Sequence, residues 1–81
     1  MDYRPTGVCS QLIHVELDGT TIKNVDFLGG CNGNTKGLSS LVRGMDANEA
    51  ISRLEGITCG SKATSCPDQL AHALRQALNE N

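Results

Sequence analysis

The alternation of apolar and polar residues is cleanest over residues 11–17. Ile13, Val15 and Leu17 fall on one side of an extended chain, and Leu12, His14 and Glu16 on the other. A period of two predicts a strand with one buried face. Asp18-Gly19 follows, the strongest short hairpin signal in the chain, and reads as a two-residue type I′ turn. The return strand is expected from about Thr20 to Leu28. Its pattern slips, because Ile22 shares a phase with Asn24 while Val25 and Phe27 share the opposite one. A β-bulge near Lys23-Asn24 restores the register. Ahead of the hairpin, Pro5 and Gly7 make residues 1–9 an edge strand or arm rather than a helix.

Beyond the hairpin the period changes. Gly29-Gly30-Cys31-Asn32-Gly33-Asn34-Thr35 carries three glycines and two asparagines and reads as an irregular turn. Leu38, Leu41, Val42 and Met45 then repeat at helical spacing, with Gly44 as the stop. Asp46-Ala47-Asn48-Glu49 is a capping-box variant that opens a second helix, with Ala47, Ala50, Ile51 and Leu54 inward and Gly56 at its end. A third helix, roughly 67–79, lines up Leu70, Ala71, Leu74, Ala77 and Leu78, with Gln69, Arg75, Gln76 and Glu80 toward water. The fold class is α+β: a small antiparallel sheet, made of the hairpin plus an N-terminal strand, with three helices packed on one face. A sheet this small leaves an edge open, which predicts a homodimer.

The chain has 81 residues, enough for a single domain over 1–81 with a thin core. One Phe, one Tyr and no Trp make that core aliphatic and disfavour base stacking. A net charge of −2 without a basic run argues against nucleic acid as a partner. No apolar run approaches the roughly 20 residues that cross a bilayer, and the start lacks a signal-peptide segment. These features place the chain in the cytoplasm, where its four cysteines are expected to be reduced, metal-bound or redox-active.

Candidate chemistry gathers before the third helix. Ser65, Pro67 and Asp68 supply an N-cap, a pre-set φ and a first-turn negative charge, with Cys66 inside that turn. A thiol so placed feels the positive end of the helix dipole, which favours the thiolate that attacks disulfides and binds metals. No C-x-x-C occurs, yet Cys9, Cys31, Cys59 and Cys66 all fall in loops or at element ends. Three readings stay open. The four thiolates could hold zinc or an iron–sulfur cluster. Cys59 and Cys66, seven positions apart across a loop bearing Lys62, could form a catalytic redox dithiol. Or the cysteines are reduced and purely structural. Gly29, Gly30, Asn32 and Gly33 form a further candidate, an anion-binding loop, against the simpler reading of a tight turn. Asp68 reads first as dipole compensation, and His14 and His72 as solvated histidines.

The run Thr64-Ser65-Cys66-Pro67-Asp68, continuing Gln69-Leu70-Ala71, resembles the motif that names the TSCPD domain family. The Gly29–Asn34 turn and Ile57-Thr58-Cys59-Gly60 are similar to that family as well, so the likeness covers about Tyr3 to Ala77. The family occurs as small stand-alone proteins and as a C-terminal domain of ribonucleoside-diphosphate reductases, chiefly the adenosylcobalamin-dependent kind. The resemblance implies an association with deoxynucleotide synthesis. It does not imply a complete reductase, whose radical chemistry needs a large barrel that 81 residues cannot supply. The expected function is an accessory module that binds a metal or a nucleotide and docks a larger protein of ribonucleotide reduction. The alternatives are a thiol–disulfide relay through Cys59 and Cys66, which would make it an enzyme, and a structural or oligomerisation domain.

Overall fold

The computed structural model describes residues 1–8, 10–29, 32–58 and 60–80. Three antiparallel strands, β1 (Asp2–Tyr3), β2 (Ser10–Asp18) and β3 (Thr21–Gly29), lie side by side in that order. Three helices follow: α1 (Asn32–Val42), α2 (Ala47–Leu54) and α3 (Cys66–Glu80). This is the α+β arrangement that the periodicities predict.

The hairpin carries the register. Leu17 pairs with Ile22 while Glu16 pairs with Asn24, so Lys23 is the inserted residue of a bulge. That insertion lets Ile22 and Val25, three apart, join Ile13 and Val15 on the buried face. The turn differs from expectation by one residue. Asp18 pairs with Thr21, leaving Gly19-Thr20 as the loop, and only Gly19 has a positive φ, at 62°. One positive φ at the first loop position is the pattern of a type II′ turn; type I′ needs two.

The α1–α2 connection closes the outer edge of β3 at its start. Ile22 N–H donates to Met45 O at 2.8 Å, Gly44 N–H to Ile22 O at 2.8 Å, and Ala47 N–H to Thr20 O at 2.7 Å. Asp46 caps α2, its Oδ2 accepting from Asn48 N–H at 3.1 Å and Glu49 N–H at 3.2 Å. Glu49 turns to Arg53 instead of reaching back to the cap, so only half of the capping box forms.

Helix α1 starts earlier than the sequence pattern suggests. Gly33, Asn34 and Thr35 are helical, not part of an irregular turn. Gly33 and Gly37 each disfavour the helix by about 1 kcal/mol relative to alanine. Burial of Thr35 and Val42 against β3 overrides that preference. Leu41, counted inward by its spacing, is 72% exposed.

The fully buried core is aliphatic. Sheet residues Ile13, Val15, Ile22 and Val25 meet Leu70 and Leu74 of α3. Alanines at 47, 50, 71, 73 and 77 let α2 and α3 approach closely. No helix of the described residues is long and apolar enough to cross a membrane. Truncating Leu74, fully buried, is expected to cost about 3 kcal/mol of stability in Leu74→Ala. Leu41→Ala is expected to stay within about 0.5 kcal/mol of the native protein. Urea unfolding of the two variants checks the packing, and equal midpoints would contradict it.

Candidate functional site

Ser65 is the N-cap of α3. Its Oγ accepts from Asp68 N–H at 3.2 Å and donates to Ile57 O at 2.6 Å, so one hydroxyl both starts the helix and anchors the incoming loop. Asp68, only 6% exposed, does more than compensate a dipole. Its Oδ1 accepts from Gly56 N–H at 2.8 Å and its Oδ2 from the Thr64 hydroxyl at 2.5 Å, with His72 Nε2 at 3.5 Å. The Thr64 hydroxyl, then the Gly56 N–H, hold the Asp68 carboxyl below the ordinary carboxylate value of 3.8.

Gln69 is 4% exposed, although its place on the helix suggested a water-facing residue. The N-terminal arm and the loop before α3 roof the first turn of that helix. Gln69 Oε1 accepts from Thr6 N–H at 3.1 Å and Tyr3 OH at 3.3 Å; its Nε2 donates to Thr64 Oγ1 at 2.9 Å. The directions are forced. A backbone N–H can only donate, so the amide oxygen faces Thr6 and the amide nitrogen faces Thr64. Thr64 therefore gives its single proton to Asp68. A polarised chain runs from Tyr3 through Gln69 and Thr64 to Asp68, joining the arm, the motif and the end of α2. The arm passes so close that a Cβ on Gly7 would lie 2.9 Å from Thr64 Cγ2, and Gly7 has φ 71°. Ala73 is buried as well, beyond the stripe of Leu70, Ala71, Leu74 and Ala77.

Of the motif, Ser65, Cys66 and Pro67 border the space between α1 and α3. They line a groove of about 530 Å³ between α1 and the start of α3. The arm contributes Val8; α1 contributes Leu38 and Leu41 as apolar wall, and Gly33, Asn34 and Thr35 from its first turn. Lys62 lines the groove from the loop, and among the described residues no carboxylate does. Gly33 and Gly37, four apart, expose helix backbone on the groove side. The groove thus combines apolar walls, the first turns of two helices, a thiol and one cation.

Of the sequence-predicted site residues, Cys66 is half-buried in this wall. Gly33 is in the first turn of α1, and Gly29 ends β3 with φ 80°. Gly29 also packs where a Cβ would meet Gln11 Cγ at 3.3 Å, opposite a second shift of register. Cys9, Gly30, Cys31 and Cys59 lie outside the described residues, as does the side chain of Asn32. Among the described residues no group of three or more His, Cys, Asp or Glu is arranged to hold a metal ion.

The chain through Asp68 sets a pH dependence. A carboxyl whose folded value is depressed contributes stability above its unfolded value, and that contribution is lost as pH falls through the folded value. Asp68→Asn is expected to be about 2 kcal/mol less stable than the native protein near neutrality. The gap should close as pH falls below the ordinary carboxylate value of 3.8. Denaturant titrations of both proteins across that window check it; a gap unchanged by acid would contradict the account.

No curated protein and no solved structure matches the chain. The family model of the TSCPD domain matches residues 1–78, nearly the whole chain, with its motif forming the start of α3 and the wall of the groove; the protein belongs to the TSCPD domain family.

Proposed function

We propose that this chain is an accessory binding module of ribonucleotide metabolism, whose ligand is a nucleotide seated in the groove between α1 and the start of α3. The observation that carries the reading is the composition of the groove wall. Val8, Leu38, Leu41 and Pro67 offer an apolar surface to a sugar and base, while Lys62 and the opening turns of α1 and α3 favour phosphate. A volume of about 530 Å³ falls in the range of small-molecule sites. The family's occurrence at the end of ribonucleoside-diphosphate reductases supports deoxynucleotide synthesis as the setting, with a larger protein of that pathway as the docking partner.

Thermal unfolding with nucleoside di- and triphosphates tests the reading. A ligand at about 100 times its Kd stabilises by about 2.7 kcal/mol, which raises the midpoint of a domain this size by about 10 °C or more. Lys62→Glu is expected to remove the shift, because it reverses the only charge lining the groove among the described residues. No shift with either nucleotide class at millimolar concentration, or the same shift in Lys62→Glu, would count against the reading.

A further inference from the structure

We infer that His14 is a proton-dependent clamp that holds the N-terminal arm on the sheet near neutral pH. The geometry that carries this is on the open face of the sheet. Asp2, His14 and Asp26 form one row across β1, β2 and β3. His14 Nδ1 lies 2.6 Å from Asp2 Oδ1, and His14 Nε2 lies 3.1 Å from Glu16 Oε1. An ionised carboxylate only accepts hydrogen bonds. A neutral imidazole has a single N–H and can satisfy one of these two contacts while its lone pair opposes the other. The imidazolium, with two N–H groups, satisfies both.

The charges around the ring agree with this arrangement. Asp2 approaches from β1, Glu16 from the same strand as His14, and Asp26 from β3 directly opposite, and these carboxylates outweigh the opposing Met1 amino group. Lys23 acts on Glu16 from the bulge, and Arg43 reaches Asn24, which in turn donates to Asp26. Hydrogen bonds to Asp2 and then Glu16 raise the His14 pKa above the ordinary imidazole value of 6.5. The sign follows: the clamp is fully present below that ordinary value and is lost as pH rises through the raised one.

The arm is where a modest contact matters. Strand β1 is two residues long. It is held by the exchange between Met1 and Val15, at 3.0 and 2.8 Å, and by the Tyr3 and Thr6 bonds to Gln69. It also pairs with β2, Asp2 with His14 and Tyr3 with Ile13, and packs Met1 and Tyr3 on the core, yet a two-residue edge strand opens locally at lower cost than the hairpin it lies on. Val8, at the far end of the arm, lines the groove, so the groove wall would follow the state of His14. That consequence rests on the reading of the groove as a ligand site, whereas the clamp does not.

Amide hydrogen exchange on the full chain, corrected for intrinsic rates, reads the arm alone. The informative amides are Val15, which donates to Met1 O, and Thr6, which donates to Gln69; Ile22, which donates to Met45 O, serves as reference. Between about pH 6 and about pH 9 the protection of Val15 and Thr6 relative to Ile22 is expected to fall about fivefold. The midpoint should lie above 6.5. His14→Gln should show the low protection at both pH values, and Asp2→Asn should move the midpoint down. A ratio independent of pH in the native protein, or a His14→Gln variant that behaves as the native one, would overturn the inference.

Discussion

The hydrogen-bonded chain from Tyr3 through Gln69 and Thr64 to Asp68 is the constraint on which the arrangement of the groove depends. Each member has its donor and acceptor capacity set by its neighbour, and the end of the chain takes the backbone N–H of Gly56. Buried polar groups are costly when unpaired and rigid when paired. Among the described residues no buried side-chain nitrogen or oxygen lacks a partner. The junction therefore ties the arm at Tyr3 and Thr6, the end of α2 and the start of α3 to one another through paired polar groups.

The aliphatic core supplies the platform for that junction. The bulge at Lys23 turns Ile22 and Val25 to the same face as Ile13 and Val15, and α3 lies over them through Leu70 and Leu74. Small residues between α2 and α3 bring Gly56 within reach of Asp68. The motif that defines the family then divides by role. Thr64, Ser65 and Asp68 build the first turn and its anchors, and Ser65, Cys66 and Pro67 line the groove.

Features governed by neighbours in the chain were legible in the sequence. The hairpin, the bulge at Lys23, the caps at Asp46 and Ser65 and the stops at Gly44 and Gly56 all follow from local pattern. The turn was misplaced by one residue because a single positive φ at Gly19 suffices when the loop is type II′. The early start of α1 was hidden because glycine and asparagine signal a break, and only packing on β3 reverses that preference. The burial of Asp68 and Gln69 was not legible for a different reason: their partners are Tyr3, Thr6 and Gly56, brought near by the fold rather than by spacing. The groove likewise joins residues 8, 33–41 and 62–67, which no periodicity connects.

The central claim is that the arm and the motif are coupled through Gln69 as one network. Tyr3 and Thr64 each bond Gln69 from opposite ends of its amide. A double-mutant cycle with Tyr3→Phe and Thr64→Val, read by urea unfolding, measures that coupling most directly. The network predicts an interaction energy of about 0.5 kcal/mol or more between two substitutions joined only through the glutamine. Additivity within about 0.3 kcal/mol would mean that the arm and the motif are anchored independently, and the account of the groove as a fixed site would lose its basis.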